Sequence, residues 1–145
     1  MSRKRIGEIV EAKVLTDLLD CGLSVATPWG DDDAYDRIAD VDGKLIRIQV
    51  KTARSRTHGE AFSFCCTRNK YCKNGIWRHQ KYKEGEMDYF ATVWEGKTYL
   101  VPAEECGQEK QLRISPTKNG MKKYVNWAKD YELEKVVDKL RTTEL

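Results

Sequence analysis

The chain is 145 residues long, with 40% hydrophobic and 34% charged residues and a formal net charge of +3. These values exclude a disordered chain and predict a single soluble domain over residues 1–145, because two independent cores would be cramped at this length. No apolar run approaches the ~18 residues that cross a bilayer, and the first residues lack the apolar stretch of a secretory signal, so we expect a cytoplasmic protein without a membrane partner.

The first predicted element is a helix that follows a basic tip at residues 3–5. Glu8 and Glu11 are three residues apart on it, so their carboxylates project from the same side. The helix should end before Gly22. Its apolar residues recur at helical spacing: Ile6, Ile9, Val10, Val14, Leu15, Leu18 and Leu19.

A short strand over 23–27 and a turn-rich segment lead to a predicted β-hairpin with strands at 35–41 and 44–52. The dipeptide Asp42-Gly43 between them favours a tight type I′ turn, so the strands should pair antiparallel. Because side chains alternate along a strand, Gln49 and Lys51 share a face. Asp36 lies on the opposing strand, and the turn should bring it close to this pair.

The remaining elements are more mixed. A loop over 53–60 precedes a strand at 61–66, a polar and basic excursion to Lys83 and a short helical turn at 84–87. A second hairpin is predicted over 88–94 and 97–101, ending at Pro102. One short strand over 111–114 precedes a helical extension at 120–143. The apolar stripe of that extension is Leu133, Val136, Val137 and Leu140.

This order of elements predicts an α/β or α+β fold in which a mixed β-sheet is flanked by helices, with its core over 5–102. Function must be argued from the side chains that such a sheet brings together.

The five cysteines are odd in number and irregularly spaced, which favours reduced thiols over a disulfide framework. A zinc site improvised from Cys65 or Cys66, Cys72 and His79 would lack the usual ligand spacing. We therefore expect thiols without a metal.

Positive charge is concentrated in the middle of the chain. Ten Lys and Arg residues lie between Arg47 and Lys83 against a single acid, Glu60, and acidic residues outnumber basic ones elsewhere. Clustered cations favour a polyanion such as DNA through counterion release, although charge alone leaves an ordinary solvated surface equally open. The candidate DNA-binding residues are Arg54, Arg56, Arg68, Lys70, Lys73, Arg78, Lys81 and Lys83.

The hairpin carries the side chains that phosphodiester hydrolysis needs. Mg²⁺ prefers carboxylates, neutral carbonyl oxygens and water, and it activates water while neutralising phosphate charge. Asp36 would bind the ion directly, with the side-chain oxygen of Gln49 and the backbone carbonyl of Val50 completing the ligand set. Glu11 would add a carboxylate from the helix, with Glu8 as a second choice there. The cation of Lys51 would orient the attacking water or stabilise the phosphate.

These residues resemble the core motif of the PD-(D/E)XK nuclease superfamily. The match consists of Gly7-x-x-x-Glu11, Tyr35-Asp36 and Gln49-Val50-Lys51, and it looks most like the homing endonucleases associated with group I introns, in which Gln can replace Glu. The likeness extends to shorter segments across most of the chain: 28–30, 87–90, 99–102 and 128–133.

The resemblance implies a restriction-endonuclease-like core and a Mg²⁺-dependent, site-specific endonuclease acting on duplex DNA, with Mn²⁺ able to substitute and no small-molecule substrate. Glu11, Asp36, Gln49 and Lys51 would be the catalytic residues. Cutting both strands would require paired sites, hence a homodimer or homotetramer. Either the C-terminal stripe or exposed Trp94 and Trp127 could form that interface, unless the stripe docks on the sheet.

Two departures from the family pattern leave alternatives open. Tyr35 replaces the proline of the motif, at a position that does not bind metal. Gln49 replaces an acid and removes a negative charge, which keeps open a non-catalytic DNA-binding module. A nuclease specific for branched DNA, like the junction-resolving enzymes, is the other alternative.

Overall fold

A computed structural model describes residues 1–30, 33–71, 75 and 77–143, with only the backbone described at 69–71 and 77–79. Within these ranges it contains two α-helices and ten β-strands. The helices are α1 (Arg3–Asp20) and α2 (Leu133–Thr142). The strands are β1 (Ser24–Ala26), β2 (Arg37–Val41), β3 (Lys44–Val50), β4 (Arg54–Arg56), β5 (Ala61–Cys65), β6 (Thr67–Tyr71), β7 (Trp77–Lys81), β8 (Tyr89–Trp94), β9 (Lys97–Pro102) and β10 (Glu109–Arg113).

The central sheet has five strands in the order β1-β2-β3-β8-β9. Its β3 and β8 strands are parallel and the other neighbours are antiparallel, so the sheet is mixed as predicted. The β2–β3 turn has φ values of 52° at Asp42 and 93° at Gly43. Positive φ at both central residues matches the type I′ turn expected from this dipeptide. The predicted hairpin is therefore confirmed.

One face of the central sheet packs against the two helices. Alternate residues of β3, namely Ile46, Ile48 and Val50, share a buried cluster with Val14 and Leu18 of α1. Leu133, Val136 and Val137 of α2 join the same cluster, with Leu140 at its edge. The C-terminal apolar stripe therefore docks on the sheet of its own chain and is not free to form a subunit interface.

The opposite face is covered by a second sheet of three strands in the order β10-β5-β4. Phe62 and Phe64 of β5 pack in one buried cluster with Phe90 of β8. Trp94 lies against this cluster, with its ring stacked 5.5 Å from that of Phe62. Trp94 and Trp127 are both half-buried, so the prediction that they are exposed is wrong.

The loop over 53–60 and the basic excursion contain regular structure that the sequence pattern did not reveal. Residues 54–56 form β4 instead of a loop, and β6 and β7 pair as an antiparallel hairpin with Thr67 opposite Lys81. Because its strands are polar on both sides, no alternation of apolar and polar residues marks them. The segment at 84–87 is a turn closed by the Glu86 N–H on the Lys83 carbonyl, not a helical turn.

The predicted helical extension over 120–143 is too long. Only Leu133–Thr142 forms an α-helix, after a short 3₁₀ turn at Ala128–Tyr131. Gly120 and Tyr124 have φ values of 69° and 64°, which an α-helix does not accept. Residues before Ala128 also lack the regular apolar spacing of the last helix. None of the helices described is long and apolar enough to cross a membrane.

Candidate active site

Asp36 lies where β2 begins and is attached to β3 at two points. Its N–H donates to the carbonyl of Ile48 at 2.8 Å, and its carboxylate Oδ2 accepts the N–H of Val50 at 2.8 Å. Because β2 starts at Arg37, opposite Ile48, the end of β3 runs past its antiparallel neighbour. The Asp36 carboxylate takes the place of the missing ladder partner, which fixes it beside the Gln49–Val50 peptide.

Glu11 approaches this carboxylate from the third turn of α1. It is half-buried, and its carboxyl group is close enough to that of Asp36 for the two to interact. Burial, followed by the negative charge of Asp36, raises the pKa of Glu11, while Arg37 opposes this rise. Two carboxyl groups in contact disfavour full ionisation unless a cation or a proton lies between them.

Gln49 and Val50 add neutral oxygens to the same edge. The Gln49 Nε2 lies 3.5 Å from the carbonyl oxygen of Val50, a contact at the long limit of a hydrogen bond. A rotation of the amide would present the Gln49 oxygen instead, with little loss. Two carboxylates, an amide oxygen and a backbone carbonyl are hard donors that fit Mg²⁺ or Mn²⁺. No cluster of three His, Cys, Asp or Glu side chains was found in the ranges that the structure describes.

Lys51 follows directly after β3, and its side chain is half-buried. The amine donates to the backbone carbonyl of Thr67 at 2.8 Å and lies 5.2 Å from the centre of the Tyr82 ring. Burial lowers the pKa of Lys51, while Cys65 and then Asp36 oppose this shift. The lysine of the motif is thus near the carboxylates and partly withdrawn from water.

Glu8 is the candidate ligand that the structure leaves outside this group. Its exposed carboxylate pairs with Arg5 at 3.3 Å, on the preceding turn of α1. Among the causes that raise the pKa of Glu11, the charge of Glu8 is the weakest. Glu8 therefore lies near the site without a contact to Asp36 of its own.

The candidate DNA-binding residues are spread around the second sheet and the β6–β7 hairpin. Arg54 and Arg56 both pair with Glu109, at 3.5 and 2.5 Å. The hydrogen bond from Ser63 and the contact with Arg56 lower the pKa of Glu109 to about 2. Arg68 pairs with Glu86 at 3.4 Å. These two acids lie outside the basic segment of the sequence, so its charge is partly neutralised by tertiary contacts.

The other candidates in that segment divide into two groups. Lys81 and Lys83 are exposed. Lys73 lies outside the described residues, as do the side chains of Lys70 and Arg78. The zinc alternative also rests in part on positions that are not described, Cys72 and the His79 side chain, while Cys65 and Cys66 are free thiols.

Two side chains at the site were not identified from the sequence. Arg37 donates from Nη1 to the carbonyl of Asp36 at 2.8 Å, and its buried Nε has no hydrogen-bond partner among the residues described. Because Arg37 directly follows Asp36 in the sequence, it could have been included among the site residues. Tyr82 contacts Lys51 from 31 positions away along the chain, and no local pattern predicts that contact.

Among solved structures, the chain is similar to a bacterial homing endonuclease, I-Ssp6803I, with a TM-score of 0.76 and 23% sequence identity over 100% of both chains. At this identity the likeness shows the fold, which is restriction-endonuclease-like. No curated protein matches the chain. The family model of the PD-(D/E)XK endonucleases matches residues 1–134. This chain therefore belongs to the PD-(D/E)XK endonuclease family.

Proposed function

We propose that this protein is a metal-dependent endonuclease that hydrolyses phosphodiester bonds in duplex DNA at specific sites, in the manner of a homing endonuclease. The observation that supports it best is the position of Asp36, which lies against both the carboxyl group of Glu11 and the N–H of Val50. PD-(D/E)XK nucleases generally use divalent metals, and this edge of the sheet collects oxygen donors.

Asp36, Glu11, the amide oxygen of Gln49 and the carbonyl of Val50 would hold Mg²⁺, with Mn²⁺ as a substitute. Glu8 would contribute only through a bridging water, since its carboxylate pairs with Arg5. When bound, the ion lowers the pKa of a water and neutralises charge on the phosphate. The repulsion between Glu11 and Asp36 supports this assignment, because a cation between them removes it.

The reaction is hydrolysis without a covalent intermediate. A water oxygen attacks phosphorus in line with the departing sugar oxygen and releases a proton to solvent, and the bond from phosphorus to the sugar oxygen breaks as that oxygen takes up a proton from solvent. Lys51 directs the water or stabilises the charge that develops on the phosphate. Its partial burial strengthens this interaction, because a site withdrawn from water screens charge less.

The basic residues would contact the DNA backbone on both sides of the cut. Arg68, Lys81 and Lys83 lie on or beside the β6–β7 hairpin, as do Lys70, Lys73 and Arg78 by sequence. Arg54 and Arg56 follow Lys51 closely in the sequence, and they would exchange Glu109 for a phosphate. Such an exchange is favourable because DNA releases condensed counterions when cations bind it.

Cleavage of both strands would require two copies of the site, so we propose a homodimer or homotetramer. The α2 stripe is already used within the chain. The interface therefore has to be formed by other surfaces.

The most direct test is incubation with a randomised duplex library and Mg²⁺, followed by sequencing of the cut ends. Recurrent cut sites are expected, and a chelator should abolish them. Asp36→Asn and Lys51→Ala should abolish cleavage while DNA binding persists, whereas the surface controls Asp138→Asn and Lys44→Ala should cut like the wild type. Undiminished cutting by either site variant would refute the mechanism.

Two further measurements separate the alternatives. Faster cleavage of a four-way junction than of linear duplex would indicate a structure-specific nuclease. The replacement of an acid by Gln49 favours a second candidate, a DNA-binding module without catalysis. Calorimetry that detects no Mg²⁺ or Mn²⁺ binding, even with DNA present, would support that candidate.

A further inference from the structure

Two of the described residues contact the amine of Lys51, and both lie where the β6–β7 hairpin leaves the body of the protein. The carbonyl of Thr67, the first residue of β6, accepts its hydrogen bond at 2.8 Å. The ring of Tyr82, the first residue after β7, lies 5.2 Å from the nitrogen. The base of this hairpin therefore surrounds the lysine of the motif.

The Tyr82 ring is itself held in place. It packs edge-on against Phe90 of the central sheet, with ring centres 5.7 Å apart and planes at 66°. The guanidinium of Arg68 lies 5.2 Å from the same ring, and Arg68 is tied to Glu86 at 3.4 Å. A half-buried aromatic ring fixed by the sheet and contacted by two cations forms a rigid support for a flexible lysine.

We propose that Tyr82 is the positioning residue of Lys51, an inference that rests on the function proposed above. The face of an aromatic ring is electrostatically negative and attracts an ammonium group. A lysine side chain has four rotatable bonds and a compact charge, so it does not hold one direction without a partner. The ring therefore restricts the directions that the amine can take. Misplacement by about 1 Å can cost about 100-fold in rate, so this restriction matters for catalysis.

Tyr82→Leu tests the proposal, with Tyr82→Phe as the conservative variant. Tyr124→Leu is the matched control, because this exposed tyrosine also lies 5.2 Å from a lysine amine, that of Lys123, but far along the chain from the site. Tyr82→Leu should lower kcat at least about tenfold, with KM and DNA affinity changed by less than about threefold. Tyr82→Phe, which keeps the ring, and Tyr124→Leu should both stay close to the wild type.

Several results would overturn the proposal. An unchanged kcat in Tyr82→Leu would contradict it. A fall in kcat that is as large in Tyr82→Phe as in Tyr82→Leu would also contradict it, since the hydroxyl and not the ring would then be responsible. A fall in DNA affinity that accounts for the whole loss would assign Tyr82 to binding. If Tyr82→Leu does not fold, Tyr82→Met replaces it, because an unbranched side chain can fill the same space beside Phe90.

A measurement without DNA or metal checks the contact directly. In the NMR spectrum of the folded protein, the ε-protons of Lys51 should be shifted upfield by the Tyr82 ring, and the shift should vanish in Tyr82→Leu or Tyr82→Met. Unshifted protons in the wild type would refute the contact. A wild-type protein that cuts no DNA would instead refute the proposed function and the catalytic role of this contact together, whatever the NMR result.

Discussion

Replacing Asp36 by Asn should abolish activity and at the same time make the metal-free protein more stable. Asn keeps an oxygen that can accept the N–H of Val50, so the end of β3 stays capped. It removes the negative charge that faces Glu11, which the raised pKa of Glu11 identifies as unfavourable. Two unit charges 4 Å apart interact by about 4 kcal/mol at an effective dielectric constant of 20.

The gain in free energy of unfolding should be smaller than this limit. The pair is only half-buried, Arg37 already offsets part of the repulsion, and exposed charges are screened, which leaves about 1 kcal/mol. For a chain of this size that corresponds to a rise in melting temperature of about 2–4 °C in the presence of a chelator. Saturating Mg²⁺ should make the wild type the more stable protein, since only the wild type binds the ion. At a Mg²⁺ concentration of about 100 times Kd, binding should raise its free energy of unfolding by about 2.7 kcal/mol.

The assay is thermal unfolding of wild type, Asp36→Asn and the surface control Asp138→Asn, each with chelator and with Mg²⁺. The control should follow the wild type in both buffers. An Asp36→Asn protein that melts below the wild type in chelator would refute the account of the Glu11–Asp36 pair. If Mg²⁺ raises the melting temperature of Asp36→Asn as much as that of the wild type, Asp36 is not a ligand.

Three further predictions test the site charge, an ion pair and the core. Gln49→Glu adds a third carboxylate and should tighten Mn²⁺ binding about tenfold in calorimetry while lowering the melting temperature in chelator. The pKa of Glu109 is held at about 2, below its ordinary 4.5, so the stability it contributes is complete above pH 4.5 and is lost as pH falls through about 2. Glu109→Gln should remove this pH-dependent part of the free energy of unfolding, measured by urea titration. The loss should be less than about 1 kcal/mol, because the position is exposed. Leu18→Ala empties a fully buried position and should cost about 3–5 kcal/mol in the same titrations.

The last two of these variants have a control in the chain. Glu104→Gln, an exposed acid near Glu109 in sequence, should leave the acid dependence intact. Leu19→Ala, at 53% exposure beside Leu18, should change stability little. Unchanged Mn²⁺ affinity in Gln49→Glu would show that this side chain is not a ligand. Unchanged acid behaviour in Glu109→Gln, or equal losses for the two leucine variants, would contradict the corresponding contacts.

The elements that the sequence predicts well are those specified by local patterns. The helix α1 follows from apolar spacing and its stop at Gly22, and the β2–β3 hairpin follows from alternation around Asp42-Gly43. The second hairpin, turning at Glu95-Gly96, is likewise confirmed. In each case neighbours within a few residues determine the backbone, so no knowledge of distant contacts is needed.

Elements that depend on distant partners were missed or misjudged. The β6–β7 hairpin has polar strands without an alternating pattern, and residues 120–127 take irregular conformations instead of a helix. The sequence also does not show how much of the basic segment's charge is free, because Glu109 and Glu86 bind three of its arginines. Ion pairs between residues so far apart in sequence depend on packing that no local window contains.

The sequence by itself determined that Asp36 lies beside the Gln49–Val50 peptide, because one tight turn and a strand register bring the two strand ends together within a single hairpin. Only the tertiary structure decided that Glu11 of α1 lies near this carboxylate, that the α2 stripe packs in the core, and that the Lys51 amine contacts the Tyr82 ring. The first contact is local and follows from backbone geometry. The others require elements distant in sequence to pack on the two faces of one sheet, which depends on burial across the whole chain.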